Sequence, residues 1–275
     1  MTTLELVRRA LDEDLGPGDV TTSACVDPTL RGTGRILAKQ ALVLSGTVPA
    51  ALAFNELGVR ATAHLPDGSR VQPGQVVMAL EGPLAGILQA ERVALNFLMR
   101  LSGIATHTAS VVEAAQGRVR VVCTRKTTPL HRSLEKAAVR HGGGHNHRHG
   151  LYDGVLIKDN HLVAAGGVKA AVARARAVAH HLIKIEVEVE TLEQLREALE
   201  AGADVVLLDN MSDAQLARAV TLAAGRALTE ASGNMDAARI ARIRDLGLDM
   251  ISVGGLVHQA RWVDLSLKLD PRPDA

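Results

Sequence analysis

Aromatic side chains are almost missing from this chain: Phe54, Phe97, Tyr152 and Trp262 are the full set among 275 residues. A core must therefore be built from Ala, Val, Leu and Ile, and single-stranded nucleic acid finds no aromatic platform on which to stack. An excess of one charge is missing too. Lys and Arg number 31 against 30 Asp and Glu, a formal net charge of +1, which argues against nucleic acid as partner. The only cysteines, Cys25 and Cys123, stand far apart and neither belongs to a CxxC pair. Two isolated thiols fit a reducing cytoplasm, and Cys123 inside VRVVC reads as a small core residue. No uncharged run reaches 18 residues, and MTTLELVRRALDEDLG has no apolar signal segment. The expectation is a cytoplasmic protein with no membrane partner. Lysine is absent between Lys39 and Lys126. The segment 67–82, DGSRVQPGQVVMALEG, has the look of a lipoyl or biotinyl carrier hairpin, but without an acceptor lysine that reading fails.

What is present reads as a soluble globular protein, 47% hydrophobic and 22% charged, long enough for one large domain or two medium ones. Leu4, Val7, Leu11 and Leu15 share one face of a helix over 4–15, stopped by Gly16-Pro17-Gly18. Asp19, Thr21 and Thr22 then read as a turn. Short β-rich runs follow (TGRILAK, ALVLSG, VRATAHL, VVMAL), interrupted by a helix around 49–57. A long helix over 90–115 divides the chain. Beyond it strands alternate with helices. The strands fall at 119–126, 154–159, 183–190, 205–210, 227–232 and 250–256, and helices at about 164–180, 192–201, 212–224 and 236–246 fit between the later ones. Gly202 and Gly247 stand where helix C-termini want a left-handed residue. Six such units predict a parallel sheet closing toward an α/β barrel, with an open doubly wound sheet as the other topology. No GxGxxG follows the first strand, which disfavours the latter.

Cations concentrate in one stretch. Residues 124–161 carry Arg125, Lys126, Arg132, Lys136, Arg140, Arg148 and Lys158 against three acids, together with six of the 11 histidines and the Gly142-Gly143-Gly144 run. A solvated basic face is the plain alternative. The cations, however, end apolar strand-like runs and alternate with His, which suits a small substrate with several negative charges. Lys126, Lys158, Glu188, Asp209, Ser232 and Gly254 each sit at or just past the C-terminal end of a predicted strand. In an α/β barrel that rim is where catalytic residues gather. His145, His147 and His149 alternate, so on a strand they would share a face fit for Zn or Fe. Arg148 between them and Arg140 nearby count against a metal.

TRKTTP, EKAAVRHGGGHNHRHGLYDG, IKDNH, IEVEVE, LLDNMS, EASGN and ISVGGL together resemble the motifs of the decarboxylating quinolinate phosphoribosyltransferase family of NAD biosynthesis. ALDEDLGPGDVTT and AERVALNFLMRLSGIAT extend the resemblance over nearly the whole chain. It implies an N-terminal α/β sandwich over 1–104, joined by the segment 264–275, and an open, incomplete α/β barrel over 105–263. A dimer or larger homo-oligomer is implied as well. The resemblance places Arg125, His147, Arg148 and Lys158 on the two carboxylates of quinolinate, with Thr124 in the same substrate set and Arg92 reaching in from the neighbouring subunit. Lys126, Glu188 and Asp209 take the catalytic positions facing phosphoribosyl pyrophosphate (PRPP). Glu188 and Asp209 are the side chains toward Mg²⁺, which is held mainly through PRPP. Ser232-Gly233-Asn234 and Ser252-Val253-Gly254 cradle the 5′-phosphate through backbone N–H groups.

The chain departs from the family's usual forms at Asn234, where a second Gly is commoner, at Leu130, often Gly, and at His141, often Cys. On the residues alone, two anions in one pocket need a dense cation cluster, and arginine's fork matches a carboxylate bidentately. Plainer roles remain open at this stage. Asp209 also suits a helix cap, Glu186, Glu188 and Glu190 suit barrel-interior salt bridges, and Lys136 and Arg140 suit either substrate or Glu135. His161 suits orienting a loop, and Arg100 and Arg132 suit the surface. Other functions left open are a barrel aldolase using Lys126 or Lys158 as a Schiff base, a ModD-like accessory protein of molybdenum transport, and a nicotinate phosphoribosyltransferase.

Overall fold

The computed structural model describes residues 1–270 and divides into two compact units. In chain order the first elements are α1 (Thr3–Leu15), α2 (Val20–Cys25), β1 (Arg31–Ala38), β2 (Leu42–Val43), α3 (Thr47–Glu56), β3 (Arg60–Ala63), β4 (Arg70–Val71), β5 (Val76–Pro83) and the 32-residue α4 (Leu84–Ala115). The predicted turn at Asp19 is instead the start of α2. The Asp19 carboxylate accepts the Thr22 N–H and hydroxyl, an N-cap that nucleates a helix from polar residues. There follow β6 (Arg120–Val122), α5 (Arg132–His141), β7 (Val155–Ile157), α6 (Asp159–Ala165), α7 (Val168–Val178), β8 (Ile185–Val189), α8 (Leu192–Glu200), β9 (Val205–Asp209), α9 (Asp213–Ala223), β10 (Leu228–Ser232), α10 (Ala237–Ile243), β11 (Met250–Ser252), α11 (Gly255–His258) and β12 (Leu265–Leu269). The single helix expected over 164–180 is two, broken at Gly166 and Gly167, whose φ of 83° and 113° no helix accommodates. Gly202 and Gly247 do take left-handed backbone, at 78° and 86°.

The first unit comprises Met1–Ala109, Thr128–Gly143 and the chain from Gln259. Its sheet is antiparallel, in the order β12-β1-β5-β3, with β2 paired to β4. The strand after residue 264 thus joins the N-terminal sheet, while residues 271–275 of that expected segment lie outside the described residues. α5, which the sequence reading put with the barrel, packs in this unit. Gly142 at its end needs to be glycine, since a Cβ there would lie 2.4 Å from the Ala105 carbonyl oxygen of α4. Asp67 Oδ2 and Oδ1 accept the Gly46 and Thr47 N–H groups at 3.2 Å each, placing a negative charge at the N-terminus of α3. Leu130, at the position the resembled family often fills with Gly, has φ of +66°, a conformation a side chain occupies at a cost of about 1–2 kcal/mol.

Arg100 is not the surface residue the sequence suggests. Its Nη2 reaches Glu135 Oε1 at 3.1 Å and its Nη1 reaches the Ala260 carbonyl at 3.1 Å. Glu135 also accepts the Thr128 N–H and hydroxyl, both at 2.8 Å, and its side chain is 1% exposed. Glu135→Ala is therefore expected to destabilise by roughly 3 kcal/mol, because it strands a guanidinium and a backbone donor. A urea midpoint unchanged from the parent would contradict this.

The second unit comprises Ser110–Thr127 and Gly144–His258. Its six strands run parallel in the order β6-β11-β10-β9-β8-β7. Each strand from β7 to β11 lies beside its successor, and β6 follows β11. That order winds in one direction, as in a barrel, and never reverses as a doubly wound sheet does. β6 and β7 stand at the two ends of this order, which leaves the barrel open there. The face opposite that of Glu186 and Glu188 is aliphatic, with Ile185, Val187, Val206 and Leu208 fully buried. Cys123 is buried and Cys25 exposed.

Candidate active site

Because all six strands are parallel, their C-terminal ends meet at one rim. The register places Glu188, Leu207 and Glu230 level with one another, and Asp209 level with Ser232. Side chains alternate faces along a strand, so Glu186 and Glu188 share the face of Glu230, Asp209 and Ser232. Lys158 follows β7 directly, and its Nζ bonds the Glu188 carboxylate. His161 accepts the Lys158 N–H at Nδ1, 3.0 Å away, and so orients that loop. Lys126 lies four residues past β6 and folds over Gly254. A Cβ at Gly254 would stand 3.1 Å from Lys126 Cδ and 3.3 Å from its Nζ. The six rim residues read from the sequence thus come to one end of the second unit, while Arg92, exposed on α4, belongs to the first. Lys136 and Arg140 also belong to the first unit, on α5, with Lys136 buried.

Arg125 and Arg148 are neighbouring cations. Each has a buried Nε without a hydrogen-bond partner. Arg148 Nη1 donates to the Gly154 carbonyl at 3.1 Å. Burial and the neighbouring Arg125 charge pull the Arg148 guanidinium below its ordinary range. Two guanidiniums that feel each other's charge and keep orphaned donors are a costly arrangement that an anion relieves. Thr124 is half-buried beside them, and its hydroxyl accepts the Lys126 N–H at 3.1 Å.

Two of the expected ligand contacts have partners of their own within the unit. Both ring nitrogens of His147 have partners within the unit: Nε2 lies 3.0 Å from Glu186 Oε2, and Nδ1 accepts the Arg148 N–H at 2.8 Å. In this conformation His147 fixes the backbone of Arg148 and turns its other nitrogen to Glu186. The Val253 N–H donates to the Val122 carbonyl at 2.9 Å, a bond to the neighbouring strand. The alternating histidines do not form a set either. His145 is exposed, His149 Nδ1 meets Tyr152 Oη at 3.1 Å, and only His147 turns to the acids.

The 232–234 loop follows a left-handed path at two successive residues. Gly233 and Asn234 both have positive φ, 91° and 49°, and Asn tolerates the left-handed region better than any other residue but Gly. A Cβ at Gly233 would lie 2.1 Å from Asn210 Oδ1. Arg239, which the sequence reading missed, donates to the Gly233 carbonyl at 2.7 Å and to the Met211 carbonyl. It thereby holds the loop's carbonyl side away from a ligand. Its spacing from the loop gives no sequence signal.

Glu230, also missed, lies under the rim with its side chain 2% exposed, and Oε1 is 3.8 Å from His147 Nε2. Alternation with Ser232 on β10 was the available signal. Burial and the Glu186 charge raise its carboxyl to about 7. Burial alone would lower His147, but Glu186 and Glu230 outweigh it and the net shift is upward. For stability the signs agree. Glu230 has a raised folded value, so the folded state loses stability as pH rises from about 4.5 to 7, and His147 gives up its contribution in the same direction. The Glu230 part amounts to about 3 kcal/mol. Glu230→Gln, which mimics the neutral acid, is expected to flatten the fall in Tm between pH 5 and pH 8. Parallel Tm curves for parent and variant would refute it.

Glu188 and Asp209 offer hard oxygen donors at the rim, and both are half-buried. Glu188 is engaged by Lys158, and Asp209 Oδ2 accepts the Asn210 amide at 2.6 Å. Such a set fits Mg²⁺ that brings most of its ligands with it. Deeper in, the donor atoms of His147, Glu186 and Glu230 lie within 4.8 Å of one another. The hydrogen bond inside that group makes a proton its simpler occupant.

Two family models match the chain: quinolinate phosphoribosyl transferase, N-terminal domain, over residues 19–102, and its C-terminal domain over 104–268. The chain is 42% identical to a probable nicotinate-nucleotide pyrophosphorylase [carboxylating] of Bacillus subtilis, covering 93% of this chain and 89% of that one. It is 40% identical to the nicotinate-nucleotide pyrophosphorylase [carboxylating] of Mycobacterium leprae, covering 96% of each. The solved nicotinate-nucleotide pyrophosphorylase of Francisella tularensis superposes with a TM-score of 0.93 at 38% identity, over 98% of this chain and 96% of that one.

Proposed function

This chain belongs to the quinolinate phosphoribosyltransferase family, and on that premise we propose that it converts quinolinate and PRPP to nicotinate mononucleotide, CO₂ and pyrophosphate. The observation that carries the reading is the Arg125–Arg148 pair with its two buried, partnerless Nε donors, a site built for carboxylates. Lys158 adds a third cation there. Lys126, over Gly254, and the 232–234 loop receive the phosphates of PRPP; Glu188 and Asp209 would hold Mg²⁺, mainly through PRPP, and the ion would supply positive charge to the pyrophosphate. The pyridine nitrogen attacks C1 of the ribose as pyrophosphate leaves. Carboxylates at Glu188 and Asp209 favour the positive charge that develops on the sugar. The quaternised ring then stabilises the carbanion left when the adjacent carboxylate departs as CO₂, and that carbon takes a proton. Positioning and fixed charge suffice for the rate, with no acid–base pair required. No helix among the described residues is long and apolar enough to cross a membrane. The family resemblance supports a homodimer or larger assembly in which Arg92 serves the partner's pocket.

Nicotinate lacks the carboxylate beside the ring nitrogen and would leave buried cations facing nothing. A preference for quinolinate of roughly 10³-fold or more in kcat/KM is expected. Comparable turnover of nicotinate with PRPP would move the protein to the nicotinate class.

A further inference from the structure

Beneath Arg148 lies a buried group that the reaction as written does not use. Glu230 on β10 and Glu186 on β8 point to the same face with side chains 2% and 9% exposed, and each keeps one oxygen without a hydrogen-bond partner. His147 bridges them, 3.0 Å from Glu186 Oε2 and 3.8 Å from Glu230 Oε1, and holds the Arg148 N–H at its other nitrogen. Lys158, after β7, also faces Glu230, Arg148 lies beside His147, and Ser252 on β11 lies beside the Glu230 carboxyl. Glu188, two residues along β8, is paired with Lys158. Two carboxylates this close in a dry interior do not both ionise without a counter-charge. A proton held between Glu230 and His147 supplies that counter-charge.

We propose that Glu230 and His147 share one proton beneath the quinolinate-binding arginines, and that binding of the dianion draws this proton in and holds it. Glu230 is thus a positioning residue that sets the charge under the pocket. The inference rests on the function proposed above. The sign follows from charge alone. Loss of the shared proton adds one negative charge below a site that must take a dianion, so quinolinate binds more weakly as pH rises through neutrality, wherever the proton resides. A proton placed on His147 Nδ1 also ends its acceptance of the Arg148 N–H, which couples the charge state to the arginine's backbone.

The test is calorimetry of quinolinate binding to the full-length protein, without PRPP, in buffers of different ionisation enthalpy between pH 6 and pH 8.5. The parent is expected to take up a fraction of a proton per site. Glu230→Gln is expected to take up less than half as much, and its Kd for quinolinate should rise less steeply with pH. Equal uptake in parent and variant, or no uptake by the parent at any pH in this range, overturns the proposal. The parent measurement stands even if the variant fails to fold. A metal ion retained by the parent through dialysis and lost from Glu230→Gln would also overturn it, assigning the cluster to a cation. Absence of quinolinate binding by the parent would instead refute the function proposed above.

Discussion

Replacing Arg148 by alanine is expected to weaken quinolinate binding by roughly 2–5 kcal/mol, and lysine is not expected to restore it. The Arg148 guanidinium is held by the Gly154 carbonyl, with its Nε buried and without a partner, so its position is set before any ligand arrives. Burial and Arg125 already disfavour its charge. The charge is retained at the expense of the unliganded protein, which is the pattern of a binding residue and not of a structural one. Arg148→Ala should accordingly leave stability unchanged or raise it while binding collapses. Arg148→Lys supplies a point charge that cannot reproduce a bidentate fork. Quinolinate affinity within about twofold of the parent in either variant would rule the assignment out.

The second large effect concerns Arg92 and Lys126. Each alanine variant alone is expected to be nearly inactive, Lys126→Ala because the cation over Gly254 is lost. Arg92 is exposed on α4, has no assigned role in its own unit and, on the family resemblance, acts in the partner's pocket. In a two-fold dimer each subunit lends the same residue to the other. If the two variants are unfolded together and refolded in equal amounts, about half the dimers are mixed. One pocket of each mixed dimer then combines an intact Lys126 with an intact Arg92, and the other pocket collects both defects. Activity should therefore recover to ~25% of the parent. Recovery no greater than that of the separately refolded variants, with mixed dimers shown to be present, would mean that Arg92 serves its own subunit or no pocket.

The rim was legible in the sequence because a parallel sheet ends all its strands on one side. Lys158, Asp209 and Ser232 could be placed there from strand ends alone, and the register bears this out. Pairings across long stretches were not legible. Arg100 read as surface because its partner Glu135 lies 35 residues on, in a helix that packs with the first unit. The α6–α7 break is masked in the sequence because the run after Gly166-Gly167, VKAAVARARAV, is rich in Ala and Arg, both good helix formers. Which N–H groups of the expected phosphate loops bond a neighbouring strand, as at Val253, depends on β6 lying beside β11. No local pattern encodes that neighbour. The orientation of His147 depends in the same way on Glu186, 39 residues away. Asn234 is the converse case: a departure from the family's usual glycine that its positive φ explains.

The most direct measurement supplies the protein with quinolinate labelled in the carboxylate next to the ring nitrogen, together with PRPP and Mg²⁺, and follows both products. The account predicts labelled CO₂ and nicotinate mononucleotide in equal amounts, with neither formed when PRPP is omitted. Labelled CO₂ without the nucleotide, or no turnover by protein that binds both substrates, would contradict it.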